Sequence, residues 1–403
     1  MTVLPPTLRA LGSTVVLSWL PRTRRILLFL ILLLSSTQLG LHFWPSSSLV
    51  YGIRVDYLSP TLYFLDILIL CYLTIIPKAA LYKFRFAEVS LFLLTNLVFS
   101  TNQIATLAWS LHLSIYIIFI QSLPLKQASI YKLPILATAT FQLILSVVQL
   151  ILGHSLQGPL YYLGERMVSV GQPGVALATF MDQVVLRGYG TFSHPNILAG
   201  YLVISLLIIR KVSKNTLTTN WMLVVATLGV IVAQSRSAAL TLFGIIIPFY
   251  FITARRLRLA YFVFLLTLVI GCSSILLPPR ADLSISERLS LQTLSLNLIK
   301  NYPILGTGAS ASISTYPTLA PSHRLLQPDH NSLTLFLSWF GAVGILASLY
   351  LVRPQFSSNT THFLPLLPLL LLDHYLLTSP QGLLILLIYF KVVNYSHVKS
   401  RRQ

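Results

Sequence analysis

Acidic residues are scarce in this chain. It has nine Asp and Glu in 403 residues, and charged side chains of both signs together make up only 9%. A soluble domain of this length carries about 25% charged residues, so a water-exposed surface cannot be covered with what is available. No two acids stand at metal-ligand spacing, and the chain contains no His-x-x-x-His, no Asp-x-Asp and no glycine-rich phosphate loop. Metal- and nucleotide-dependent chemistry is therefore left without a motif. Cysteine is nearly missing as well. Cys71 and Cys272 both fall in apolar runs, where they read as buried packing residues, and two thiols supply neither a disulfide framework nor a zinc set. Internal repeats, low-complexity segments and strand-like alternation are also lacking, and without alternation a β-barrel is excluded.

What the chain has instead is apolar bulk: 55% of its residues are hydrophobic and its mean hydropathy is +0.78. Many runs approach the ~20 residues that cross a hydrocarbon layer as helix. Twelve candidate spans follow: 26–43, 58–76, 86–101, 103–121, 133–152, 195–210, 221–234, 237–253, 259–277, 333–351, 363–377 and 382–396. The expected fold is all-α, a polytopic membrane bundle of about 12 helices. The spans run evenly from end to end, so residues 1–403 read as a single integral membrane domain. An Arg cluster precedes the first run, as in a signal peptide, but no small-residue cleavage site follows. "HFWPSS" (42–47) reads as an interfacial aromatic belt, making 26–43 a first transmembrane helix.

The net charge of +19 could suggest a nucleic-acid partner. Its distribution says otherwise. With the N-terminus placed inside, the outer face receives only Arg54, Arg166, Arg187, Arg236, Arg280, Arg288, Lys300 and Arg324 of the 28 basic residues. That asymmetry is the positive-inside signal, with both termini cytoplasmic. The basic excess reports topology, and no nucleic-acid partner is expected. Two long outer loops result, about 153–194 and 278–332, which hold Glu165, Asp182, Asp282, Glu287 and Asp329 of the nine acids. Function is expected to face outward.

The second loop contains a helix signature. Ser284 and Glu287 form a capping box, Leu291, Leu294 and Leu298 recur at helical spacing, and Pro303 stops the run before a turn at Gly306 and Gly308. The pattern predicts a short amphipathic helix over the outer mouth, with Arg288 in its first turn.

Four basic or ionisable positions face outward: Arg187 in "LRGYGTF", Arg236 in "AQSRSAAL", Arg288 in "SERLS" and His330 in "PDHNS". An arginine at a helix centre costs roughly 2.5–3.5 kcal/mol by insertion scales, and less near the interface. Position alone leaves Arg236 open between an anionic ligand and snorkelling to lipid phosphate. Arg288 is equally open between a ligand and a solvated pair with Glu287. His330, beside Asp329 where the chain re-enters the membrane, can accept a hydroxyl proton near neutral pH or simply start a helix. His194 in "TFSHPN" (191–196) is open between shaping the turn with Pro195 and a catalytic role.

In order along the chain, "RGYGTFSHPNILAGYL" (187–202), "QSRSAAL" (234–240), "SERLSLQTLSLNLIKNYPILGTG" (286–308), "DHNSLTLFLSWFGAVG" (329–344) and "DHYLLTSPQG" (373–382) resemble the O-antigen ligase and polymerase family of bacterial membrane glycosyltransferases. The resemblance covers 187–382, and the first half matches only as a hydrophobic bundle. It implies a cofactor-free, metal-independent transferase in the cytoplasmic (inner) membrane. Such an enzyme moves a glycan from an undecaprenyl-diphosphate donor to a hydroxyl of a lipid, glycan or protein acceptor on the outer side.

Carried over by motif, the catalytic residues are His330, Arg288 and Arg236. Arg187, His194, Asn196 and Asn331 are candidates for substrate binding. "TFSHPN" is then the rim of the lipid-diphosphate cavity, with Asn196 capping the helix below it. Tyr302 and Tyr316 are the few sugar platforms in the long loop. A transporter or flippase for a lipid-linked anionic sugar is the alternative. It would place ionisable groups near mid-bilayer, where Asp66 and Asp373 are the main acids.

Overall fold

The computed structural model describes residues 22–76, 86–124, 129–180, 183–252, 257–258, 261, 283–320, 322, 325–356 and 363–400. Apart from residue 261, the predicted span 259–277, with Cys272, lies outside the described residues. Among the described residues the chain is mostly helical, and five helices are long and apolar enough to cross a membrane. These are α4 (Gln103–Ser122), α5 (Ser129–Leu152), α6 (Pro195–Val212), α7 (Thr216–Ala233) and α12 (Ser332–Phe356). Shorter apolar helices stand among them: α1 (22–33), α2 (Phe64–Ile75), α3 (Phe86–Val98), and α8 (Arg236–Ala239), which runs through a π turn, Leu240–Ile246, into α9 (Ile247–Phe251).

At the centre is α6, in which every residue from Pro195 to Ile209 is buried. A helix apolar on all sides has no solvent face and must be wrapped by others. Here α5, α7, α8 and α15 (Pro380–Ser400) do the wrapping. Tyr201 reaches out of α6 to Ser35, with the two hydroxyls 2.5 Å apart. On the surrounding helices large apolar side chains stay exposed at three- and four-residue spacing, as in Leu91–Leu94–Val98 on α3 and Trp221–Val224–Leu228–Ile231 on α7. Such stripes suit contact with lipid chains. Cys71 belongs to this exposed surface on α2, which corrects the expectation that it packs inside.

Three departures from the predicted pattern matter for the site. First, the run at 26–43 is not one helix. The helix ends at 33, and the buried Ser35, Ser36 and Thr37 lead into a small β segment. There β1 (Gly40–His42) pairs antiparallel with β4 (Thr61–Tyr63), and β2 (Leu49–Val50) with β3 (Ile53–Arg54). A third hairpin, β5 (Leu177–Phe180) with β6 (Gln183–Leu186), precedes Arg187. Local pairing thus satisfies the backbone where the chain leaves the helices.

Second, the Gly306–Gly308 end of the "PILGTG" turn is buried in the bundle, while Pro303 and Ile304 stay exposed. The turn docks against a break in α12, where Gly341 takes φ +56°. The freed backbone groups of the break pair with the turn: Thr307 N donates to Ser338 O (2.8 Å), Gly308 N to Trp339 O (3.0 Å), Ala342 N to Pro303 O (2.9 Å) and Val343 N to Ile304 O (3.0 Å). Asn96 of α3 clamps the same place, donating to Trp339 O and accepting from Ala309 N. A helix break inside an apolar bundle is tolerated when its polar groups are re-paired in this way.

Third, the predicted span 363–377 is broken into a 3₁₀ turn (Leu364–Leu366), α13 (Leu367–Leu372) and α14 (Tyr375–Thr378), with Asp373 extended between the two helices. The loop helix α10 (Leu283–Asn301) buries Leu291, Leu294 and Leu298 as their spacing predicts. It packs on α11 (Ser312–Leu319) and α12. At 19 residues it is longer than expected. Arg288 sits beyond its first turn, and the capping box predicted at Ser284 lies outside the described side chains.

Candidate active site

The stretch "RGYGTFSHPN" is held from below by α5. Gln149 accepts from Tyr189 N (3.1 Å) and Gly190 N (2.7 Å), and its amide donates to Gly190 O and to the buried Glu165. Two turns earlier on α5, Gln142 accepts from Thr191 N (2.8 Å) and donates to the hydroxyls of Thr191 and Ser36. The amides of this loop are buried, and two buried glutamines supply what a strand partner would.

Arg187 is thereby fixed at the end of the β5–β6 hairpin. Its Nε donates to Ala233 O (2.7 Å), and one Nη to Asn196 Oδ1 (2.7 Å) and Gln234 O (3.3 Å). The carbonyls of residues 233 and 234 end α7, where a cation is favoured. Burial lowers the Arg187 pKa from its ordinary value.

Asn196 does not cap α6. His194 does: its Nδ1 accepts from Asn196 N at 3.1 Å. Pro195 at the first helical position forces the residue before it into extended backbone, and that geometry turns the imidazole, rather than the Asn side chain, over the open amide. Burial, and next the nearby Arg187 charge, hold the His194 pKa down at about 3. Freed from capping, Asn196 donates its Nδ2 to Asp373 Oδ1 at 2.9 Å.

Asp373, between α13 and α14, is the point at which α6, α8 and α12 meet. Its Oδ2 accepts from Ser237 of α8, its backbone carbonyl accepts from Ser332 of α12 (2.6 Å), and its Oδ1 lies 3.8 Å from His330 Nδ1. The His330 Nδ1 is buried and has no hydrogen-bond partner among the described residues, while the side chain keeps 18% exposure. The exposed part of the ring is therefore away from Asp373. Arg288 donates to Leu372 O at 3.2 Å, one residue from the same carboxylate. Arg236 opens α8 with an exposed side chain, one residue before Ser237, and its charge is felt at Arg187.

Two expectations change here. Asp329, the acid next to His330 in sequence, turns toward the start of α12, accepting from Asn331 N (3.0 Å) and from the Thr334 hydroxyl. The carboxylate facing the His330 ring is Asp373, 43 residues on. Asn331 caps α12, its Oδ1 accepting from Leu333 N (2.9 Å) and Thr334 N (3.3 Å), so that oxygen is already occupied. Tyr316 is buried and offers no platform, whereas Tyr302 is exposed.

No protein-family model matches the chain, and no curated protein matches it.

All seven candidate residues gather at one end of the bundle. His330, Asn196 and Arg288 meet at residues 372–373, Arg187 reaches that point through Asn196, and Arg236 stands one residue from Ser237, which donates to Asp373. Sequence reasoning passed over Asp373, His374 and Ser237 as site residues. The available signal was an acid and a histidine side by side in an apolar run, which membrane energetics disfavours unless they are used. Against this cluster lies a cavity of about 610 Å³, with His194 and His374 in its wall. Its far side comes from the first half of the chain, through Tyr57, Tyr63 and His112. The His330 and His374 rings meet at an interplanar angle of 56°, with centroids 5.0 Å apart.

Proposed function

We propose that this protein is a membrane glycosyltransferase of the O-antigen ligase and polymerase type. It moves a glycan from undecaprenyl diphosphate to an acceptor hydroxyl on the outer side of the cytoplasmic membrane. The observation that carries the reading is the convergence of His330, Asp373 and three arginines at one end of an apolar bundle. Fixed guanidinium groups match a diphosphate in charge and shape, and they supply positive charge at the leaving group without a metal ion. The twelve-span topology with both termini inside belongs to the same reading, and it puts this end of the bundle on the outer face.

The step is a direct displacement. Nε2 of His330 takes the proton of the acceptor hydroxyl as its oxygen attacks the anomeric carbon. The bond from that carbon to the diphosphate oxygen breaks, and undecaprenyl diphosphate leaves with the electron pair beside Arg288 and Arg236. Attack opposite the leaving group inverts the anomeric configuration. Asp373, on the Nδ1 side of the ring, stabilises the imidazolium that forms and holds the ring's orientation. General-base assistance of this kind contributes about 10²- to 10⁴-fold.

The test is transfer by the purified protein from a synthetic undecaprenyl-diphosphate glycan, with a chelator present, to a lipid core, a second donor or a peptide. Wild type is expected to transfer, and His330→Ala and Arg288→Ala to fail while remaining folded. The productive acceptor would separate ligase, polymerase and protein-modifying activity. Transfer by both variants at the wild-type rate would overturn the site. Donor crossing liposome membranes without transfer would replace the enzyme by a transporter.

A further inference from the structure

The 610 Å³ cavity lies within the range of about 300–1,000 Å³ typical of small-molecule sites, and its chemistry differs from that of the arginine cluster. The charged groups on its lining are already engaged, and none of them is a free cation. Arg166 pairs with Asp56 at 3.2 Å. Both oxygens of Glu165 are occupied, by Gln149 Nε2 and Leu156 N on one side and Gln157 N on the other. An anion gains nothing from such a lining.

Two histidines on the lining are held in opposite tautomers. Nε2 of His112 lies 3.0 Å from the Thr61 carbonyl and 3.1 Å from the buried Asp66 carboxylate. A carbonyl only accepts, so Nε2 carries a proton, and in the neutral ring the Nδ1 lone pair is left over. His194 is the reverse: its Nδ1 accepts from Asn196 N, so the proton sits on Nε2. Neither remaining nitrogen has a hydrogen-bond partner among the described residues. Both rings line the cavity, and as neutral imidazoles they have between them one acceptor and one donor nitrogen to spare. Trp109, Tyr57 and Tyr63 add aromatic surface. Hydroxyl groups both donate and accept, and sugar rings have apolar faces that suit aromatic ones.

We propose that this cavity binds a neutral sugar residue, with His112 Nδ1 accepting from one hydroxyl and His194 Nε2 donating to another. Resting on the transferase reading, that sugar belongs to the acceptor. His194 and His374 then form the wall between the acceptor glycan and the diphosphate. The first half of the chain, which carries no family-like motif, supplies acceptor recognition through β1–β4 and α4.

Calorimetric titration of the protein in nanodiscs with lipid-free neutral oligosaccharides (maltotriose, chitotriose and laminaritriose) tests the binding directly, with inositol hexakisphosphate as the anionic control. At least one neutral trisaccharide is expected to bind with a dissociation constant on the order of millimolar. His112→Phe should weaken it at least tenfold, and Arg288→Ala should leave it unchanged. Ala108→Phe, which places bulk in the cavity from α4, should weaken binding equally and serves if His112→Phe fails to fold. Melting curves monitor both. The proposal is overturned if no trisaccharide binds, if Ala108→Phe leaves binding intact, or if the anion is the ligand that Ala108→Phe displaces. Transfer without any effect of these variants on the acceptor KM sinks the cavity and spares the transferase. Glycan binding in a protein that never transfers does the opposite.

Discussion

His330 Nδ1 stands 3.8 Å from Asp373 Oδ1, and that carboxylate is held from two other helices by Asn196 and Ser237. The separation is too long for a hydrogen bond and short enough for strong attraction once the ring is protonated. The carboxylate is fixed before the proton arrives, so little reorganisation is needed when charge develops on the imidazole.

Asp373→Asn should therefore lower kcat for transfer by about 10²-fold while leaving KM for the lipid-diphosphate donor within about threefold. Steady-state kinetics on the variant decides this. A change confined to KM would make Asp373 a binding group instead.

Arg187 is tied by three hydrogen bonds to α6 and the end of α7. Hydrogen bonds involving charged groups contribute about 1.5–3 kcal/mol, so Arg187→Ala should lower the melting temperature clearly. Arg187→Lys should not restore it, because an ammonium cannot span the fork from Ala233 O to Asn196. Recovery by Lys in a thermal melt would show that only the charge matters.

The low pKa of His194, about 3, makes a statement about acid stability. An unfolded histidine titrates near 6.5, so between those values the unfolded chain holds the proton and the folded one does not. Stability from the neutral ring is complete above about pH 6.5 and is lost progressively as pH falls toward about 3. His194→Asn keeps a helix cap and removes the titration. Its melting temperature should fall less steeply than that of wild type from pH 6.5 to 4, and parallel curves would refute the assignment.

Gly341 combines φ +56° with a Cβ position 2.5 Å from the Ile304 carbonyl. Gly341→Ala meets both a strained backbone and a collision with main chain that cannot rotate away. Destabilisation on the order of 1–3 kcal/mol is expected, together with loss of the turn at 303–308. Denaturation and limited proteolysis would register it, and wild-type behaviour would mean that the break in α12 is not required.

The sequence by itself determined the membrane class, because so few charges among so many apolar residues leave no other solvent for the surface. It determined where α4 to α7 run, since length and hydropathy suffice for a helix that spans. It also determined the inward stripe of α10, through Leu291, Leu294 and Leu298. Only the tertiary structure decided which groups meet. The carboxylate beside His330 is the distant Asp373 rather than the adjacent Asp329, because the start of α12 turns Asp329 into its own capping turn. His194 rather than Asn196 covers the head of α6, because Pro195 dictates the backbone before it. Helical periodicity says which face of a segment is apolar. It carries no information about which other segment lies against that face, so the pairing of α6, α8 and α12 around residue 373, and the cavity closed by the first half of the chain, exist only once the helices are packed.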